Sequence, residues 1–276
     1  GGQGQDEITV QNNAIVNGDV RGGSGGDVIV LANNAKVKSD VDAGQGLDEV
    51  SILGNAVVGG NVYAGKGSDE VLVQGTVKGD VDGGTGSDSI VVSQDGKVGN
   101  NVLGGAGDDE IRIKDVAIIG GGVYGMAGSD TIVVQDSAKV KGDVDAGIGN
   151  DNTTVRIKDN AVVGGDVLGG AGNDNLIVRD DAKVKGNVKG GSGNDDVTIR
   201  GNSNVLGNVR GDEGFDYLVI SENATVGGDV GGGEQGDEII VRGSAKVKGE
   251  VHGGQGQDEI TVQNNAIVNG DVRGGS

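Results

Sequence analysis

One nine-residue pattern returns through the whole chain, and its regularity limits what the chain can fold into. Written Gly/Ala-Gly-x-Gly-x-Asp-x-apolar-x, a recognisable version begins at Gly1, Gly22, Ala43, Ala64, Gly83, Gly104, Gly125, Ala146, Gly169, Gly190, Gly211, Gly232 and Gly253. Of the 12 complete copies, ten are 21 residues long, copy 4 (64–82) is shorter by two, and copy 8 (146–168) is longer by two. The register lost in one copy is thus recovered in the other. A chain with this period stacks coil on coil, each coil stabilised by its neighbours. Composition agrees, because 60 Gly, no Pro and only four aromatic residues in 276 leave a core of small and β-branched side chains.

Within coil 1, Glu7-Ile8-Thr9-Val10-Gln11 alternates polar and apolar, the period-two mark of a half-buried strand. Asn12-Asn13 is a turn in which Asn tolerates left-handed backbone. The second half turns Ala14, Val16 and Val20 inward around a Gly18-Asp19 corner, giving five inward positions per coil with Ile8 and Val10. The Val20 position is Val in all 13 copies, through Val272, as stacking of identical side chains requires. Copies 4 and 8 are expected to show local tucks or bulges near Gln74-Gly75-Thr76-Val77 and near Thr153-Thr154. The corner residue is Asp, Asn or Glu in 12 copies; a second metal row would not tolerate Asn61, Asn101, Asn187 and Asn208, so a turn bonding to backbone is the better reading.

The sixth position of the pattern is Asp in every copy: Asp6, Asp27, Asp48, Asp69, Asp88, Asp109, Asp130, Asp151, Asp174, Asp195, Asp216, Asp237 and Asp258. Coils stacked about 4.8 Å apart would bring these carboxylates into one self-repelling line. A hard divalent cation removes the conflict, since calcium takes oxygens from carboxylates and from the carbonyls that glycine turns can present. GGQGQDEIT, GGSGNDDVT and GGAGNDNLI resemble the glycine- and aspartate-rich nonapeptides of the RTX family. The resemblance spans the chain and implies a parallel β-roll in which each Asp above ligates Ca2+ between neighbouring coils. Here one nonapeptide is followed by about twelve other residues, so one calcium edge is expected where the family usually has two. Copy 11 (Gly211-Asp212-Glu213-Gly214) and copy 12 (Gly232-Gly233-Glu234-Gln235-Gly236-Asp237) depart from the glycine pattern, which puts their sites in question. The second half of each coil, as in Ala138-Lys139-Val140-Lys141-Gly142-Asp143-Val144, is similar to bactofilin-type right-handed β-helix repeats.

The expected fold class is therefore all-β: a single-domain parallel β-solenoid (β-roll/β-helix) over 1–276, about 13 coils of ~21 residues, right-handed, with one calcium-binding edge. Residues 1–24 and 253–276 are identical while the coils between them differ, which suggests an excerpt of a longer tandem array with a 252-residue higher-order repeat. Net charge is −20, so the metal-free chain tends to disorder, whereas about twelve intercoil Ca2+ ions would bring roughly +24 and permit compaction.

Enzyme chemistry lacks its parts. His252 is the only histidine, which leaves no zinc-protease or Ser-His arrangement, and it is expected on an exposed loop. Carboxylates are abundant but are accounted for by the repeat. Nucleic acid is an unsuitable partner for an acidic chain without stacking aromatics, and no stretch approaches the length of a membrane span. An ice-binding array is disfavoured because no outward Thr column repeats. Pairs such as Lys36/Lys38, Lys139/Lys141, Lys183/Lys185 and Lys246/Lys248 create a basic, partly aliphatic outer face. The expected role is a secreted, cell-surface structural repeat: a stalk, biofilm-matrix fibre or surface-layer element that calcium folds and stiffens after export, with self-association end to end or laterally and contact with matrix components. The alternatives are an adhesin segment that binds through the Lys/aliphatic face and a calcium-independent bactofilin-like scaffold.

Overall fold

A computed structural model describes residues 1–149 and 153–276. The chain is a parallel β-solenoid, with three strands in each full coil, represented in coil 1 by Glu7–Val10, Ile15–Val16 and Val20–Ser24. Corresponding strands of successive coils pair in register, as in Ile8↔Ile29 and Val20↔Val41, and form three 13-stranded parallel sheets. No helix is present among the described residues.

The five inward positions form one continuous core in which most members have no solvent exposure. Its columns are nearly uniform: Val41, Val62, Val81 and Val102 stack upon one another, as do Ile90, Ile111 and Ile132. β-Branched side chains pack well on a pleated surface of this kind. Each fully buried one contributes roughly 1.5–3 kcal/mol relative to exposure.

Turns match the sequence expectations in most places. Asn12 and Asn13 have φ of 56° and 64°, and the Asn34 amide donates to the Asn13 side-chain oxygen at 3.1 Å. In coil 4 only Gln74 and Gly75 separate the strands Glu70–Val73 and Thr76–Val77, yet Thr76 still pairs with Val57 and Lys97. The two missing residues are taken out of the turn, and sheet register survives. Where coil 7 leads into coil 8 the third strand shrinks to Val144–Asp145, followed by an isolated Ile148 bridge to Ala127 and Ala171. The first strand of coil 8, Thr154–Ile157, pairs Thr154 with Thr131 and Asn175 as usual, so the two extra residues fall between Ile148 and Thr154 in sequence.

His252 lies on the strand Val251–Gly254, not on a loop. It follows the inward Val251 and therefore faces outward, where it lies over Gly231 of the preceding coil.

Glycines are required where successive turns approach closely. Gly105 has φ +118°, and a Cβ there would run into the carbonyl oxygen of Gly84. Met126 occupies the same place one coil on, with φ 84° and its side chain about half exposed. A non-glycine residue in that region costs of order 1 kcal/mol or more. Met126→Gly is therefore expected to raise the unfolding free energy by about 1 kcal/mol, measured by denaturant titration; an unchanged or lower value would show that the turn holds Met126 without strain.

Candidate metal row at the glycine edge

The sixth-position aspartates point inward, just ahead of the first strand of each coil. Asp27, Asp48, Asp69, Asp88, Asp109, Asp130, Asp174, Asp195, Asp216 and Asp237 are buried, with no more than 3% exposure; Asp6 and Asp258, in the terminal coils, are half-buried. Each carboxylate uses one oxygen to hold the stack together. The N–H of Asp6 donates to Oδ1 of Asp27 at 2.8 Å, that of Asp27 to Asp48 at 2.7 Å, and the series continues to Asp130. It resumes in coil 8 and runs to Asp258.

The second oxygen has a different fate. Among the described residues, the buried side-chain oxygens and nitrogens without a hydrogen-bond partner are Oδ2 of eleven aspartates, from Asp27 to Asp258, and all of them belong to this row. An ionised oxygen left unpaired in a buried site is costly. Burial is the main reason nine of these carboxyls titrate high. It is opposed by the N–H from the adjacent coil and reinforced by nearby carboxylates, and it pushes Asp109, Asp195 and Asp216 up to about 7 and Asp69, Asp130 and Asp237 up to about 6. Asp48, Asp88 and Asp174 are raised from the same first cause.

Where the repeat opens with glycine, that residue leaves a space beside Oδ2. A Cβ built on Gly104 would lie 2.5 Å from Oδ2 of Asp109 and 2.8 Å from the carbonyl oxygen of Gly125 in the next coil. Gly22, Gly83, Gly125, Gly169, Gly190 and Gly232 repeat the arrangement of carboxylate and carbonyl oxygens. Such a corner, with one anionic and one neutral oxygen and no nitrogen or sulfur, suits a hard cation. No group of three acidic or histidine side chains converges among the described residues, so the remaining ligands of any ion would be backbone carbonyls. In coils 3, 4 and 8 the opening residue is Ala43, Ala64 or Ala146, each buried, and its methyl takes that space.

Three details were not foreseen from the sequence. Asp151 lies outside the described residues, and the residue aligned with Asp130 and Asp174 is Thr153, whose backbone N–H and hydroxyl both donate to Oδ1 of Asp174. Coils 11 and 12 keep the site geometry despite their altered glycines: Asp212 and Gln235 adopt φ of 81° and 71° in place of Gly, and Asp216 and Asp237 remain buried in the row. At the Gly-Asp corner the side chains bond the next coil instead of their own turn, as in Asn61 N–H to Asp40 Oδ1 at 2.7 Å and Asp80 N–H to Asn61 Oδ1 at 2.8 Å. Asn serves there as well as Asp, and no corner oxygen is among the orphaned ones.

Fold and edge together define a parallel β-solenoid with a buried, incompletely bonded carboxylate row. The solved structure of a hyperactive, Ca2+-dependent, beta-helical antifreeze protein from an Antarctic bacterium has a similar fold, with a TM-score of 0.55 and 22% identity over 90% of this chain and 83% of that one. No family model and no curated protein sequence matches the chain.

Proposed function

We propose that the chain is a non-catalytic, calcium-dependent structural repeat, in which a row of Ca2+ ions along the glycine edge folds and stiffens a rod roughly 60 Å long. The observation that carries this reading is the orphaned Oδ2 repeated in every described coil from Asp27 to Asp258 except coil 8. Asp Oδ2 and the facing carbonyl of the next coil's opening residue would hold the ion, and ion binding and folding would be one event. The Ca2+ dependence stated for the antifreeze structure is consistent with this. Ice binding is not carried over with it, because the outward third position of the repeat changes from coil to coil: Gln3, Ser24, Gln45, Lys66, Thr85, Ala106. The RTX resemblance points the same way, and a calcium-independent scaffold would leave the orphaned oxygens without purpose.

A secreted rod at a cell surface or in an extracellular matrix fits these properties, since calcium at extracellular concentrations is in the range that weak modules sense. Adhesion through the Lys/aliphatic face is the second reading. It is favoured by the outward placement of Lys139 and Lys183 on either side of Val162.

Gly104→Ala tests the ion's location. Ala43 and Ala64 occupy the equivalent place in intact coils, so the variant is expected to keep its circular dichroism and to bind about one calcium fewer per chain by equilibrium dialysis. An unchanged count in a folded variant would place the ion elsewhere.

A further inference from the structure

Along the third sheet one column of side chains faces outward, at the place that Arg21 holds in coil 1. Strand pairing carries this place in register from coil to coil. In coils 3 to 6 it is filled by Tyr63, Asp82, Leu103 and Tyr124, and in coils 7 to 10 by Asp145, Leu168, Lys189 and Arg210. Counted outward from the middle, the two sets answer each other: Tyr124 with Asp145, Leu103 with Leu168, Asp82 with Lys189, and Tyr63 with Arg210. Each combination is favourable, as a hydroxyl with a carboxylate, aliphatic with aliphatic, acid with base, and an aromatic ring with a guanidinium.

One chain cannot satisfy these combinations by itself. Leu103 and Leu168 stand three coils apart and Asp82 and Lys189 five, roughly 14 Å and 24 Å. Lys189 instead stacks directly beside Arg210, an unfavourable like-charge contact, and neither forms an ion pair among the described residues. Beside the middle of the column Met126 and Ile148 are 46% and 71% exposed, and they line a shallow 570 Å³ trough with Leu103 and Ala106. Apolar exposure gathered in one place marks an interaction surface.

We propose that this face docks a second copy of the chain about a twofold axis that is perpendicular to the sheet and crosses the column between coils 6 and 7. Because the column lies on the axis, its residues meet the same column of the other copy, with coil 6 on coil 7, 5 on 8, 4 on 9 and 3 on 10. All four combinations then form, each of them twice. Side-chain directions agree. The Tyr124 ring leans back along its strand over Gly122, where a Cβ would run into it, and the Asp145 carboxylate leans forward, its Oδ1 accepting from the N–H of Gly147 at 2.9 Å. The axis reverses the strands of the second copy, so the hydroxyl of one copy and the carboxylate of the other fall on the same side. The same reversal carries Ile148 toward the other copy's Gly121-Gly122 corner, which lacks the polar side chain of the other corners. Flanking columns bring no like charges together over these coils: Lys66 falls opposite Asn208, and Glu213 opposite Asn61. A shift of one coil removes the match, setting Asp145 against itself in one direction, and Asp82 and Asp145 against Leu168 and Leu103 in the other. Coils 3 to 10 are roughly 38 Å long and the strand about 16 Å wide, or roughly 600 Å² per partner, at the lower bound of a standard interface. A linear glycan would use Tyr63 and Tyr124 and leave Lys189 and Arg210 unexplained. The proposal rests on the fold and on this column, independently of the calcium row.

The test uses the full chain in calcium, with mass measured by light scattering. The wild type is expected to dimerise, and Asp82→Lys and Lys189→Asp are each expected to weaken dimerisation by at least about tenfold, because each sets like charges opposite one another twice. Combining both substitutions in one chain, or mixing the two single variants in equal amounts, is expected to restore the dimer. A second arm reads the register. The chain has no cysteine, so Leu103→Cys/Leu168→Cys is expected to give a covalent dimer on oxidation, whereas Leu103→Cys alone is not, its two copies standing about three coils apart. A monomeric wild type, single charge variants that dimerise normally, a double reversal that fails to recover, or a covalent dimer from Leu103→Cys alone in place of the pair would overturn the proposal. Circular dichroism of each variant separates a failure to assemble from a failure to fold.

Discussion

Removing calcium at neutral pH is expected to abolish most of the chain's β-sheet signal, and adding calcium back is expected to restore it. The reason lies in the eleven Oδ2 atoms that are buried without a donor. Near pH 7.5 Asp69, Asp130 and Asp237, raised to about 6, and Asp109, Asp195 and Asp216, raised to about 7, are mostly ionised, and a buried charge without a partner costs several kcal/mol. The apolar core contributes over the same coils, but it is thin, with five inward side chains in each. Coils stabilise one another in series, so a penalty repeated along one edge is felt by the whole stack. A calcium ion at each glycine-opened corner would convert the penalty there into coordination, and an overall charge of −20 would no longer oppose compaction. Far-UV circular dichroism in EDTA and after calcium addition measures this, and an unchanged spectrum in EDTA would contradict it.

Acid should substitute for calcium. In the folded, metal-free chain Asp109, Asp195 and Asp216 titrate at about 7 and Asp69, Asp130 and Asp237 at about 6, whereas an unfolded Asp has its ordinary value of 3.8. Between these limits the folded state binds more protons than the unfolded one, so stability falls as pH rises. The protonated row's contribution is fully present below 3.8 and is lost as pH climbs through about 6 to 7. With calcium the sign reverses, because protons compete with the ion for the same oxygens. Thermal unfolding in chelator should therefore show a higher midpoint at mildly acidic pH than at pH values above about 7, and the order should invert in calcium. Asp109→Asn combined with Asp195→Asn and Asp216→Asn should flatten the pH dependence in chelator and reduce the calcium response. A midpoint in chelator that rises with pH would contradict the raised titration of the row.

Most of the architecture was legible because it is written thirteen times. The inward columns followed from period-two alternation, and stacking preserves that alternation in every coil, from Ile29 and Leu31 to Ile239 and Val241. The acidic row was legible from one invariant spacing. Counting forward from the glycines assigns Asp151 to the row; Asp151 lies outside the described residues, and counting back from the paired strand brings Thr153 level with Asp130 and Asp174. Met126, Asp212 and Gln235 depart from the glycine pattern, yet the turns above and below impose the same positive φ on them. The stacking of like charges on the first sheet was hidden for a different reason. Glu49 and Glu70 are neighbours in space but 21 residues apart in sequence, so the pattern emerges only when coils are laid side by side.

The most direct measurement is an anomalous difference map from crystals grown in calcium, recorded at a long X-ray wavelength. The account predicts a file of peaks inside the glycine edge, one beside Oδ2 of Asp27, Asp88, Asp109 and the other aspartates whose coils open with glycine, spaced by one coil except for gaps at the alanine-opened coils 3, 4 and 8. A map without peaks there, from a chain whose stack also survives EDTA, would contradict it.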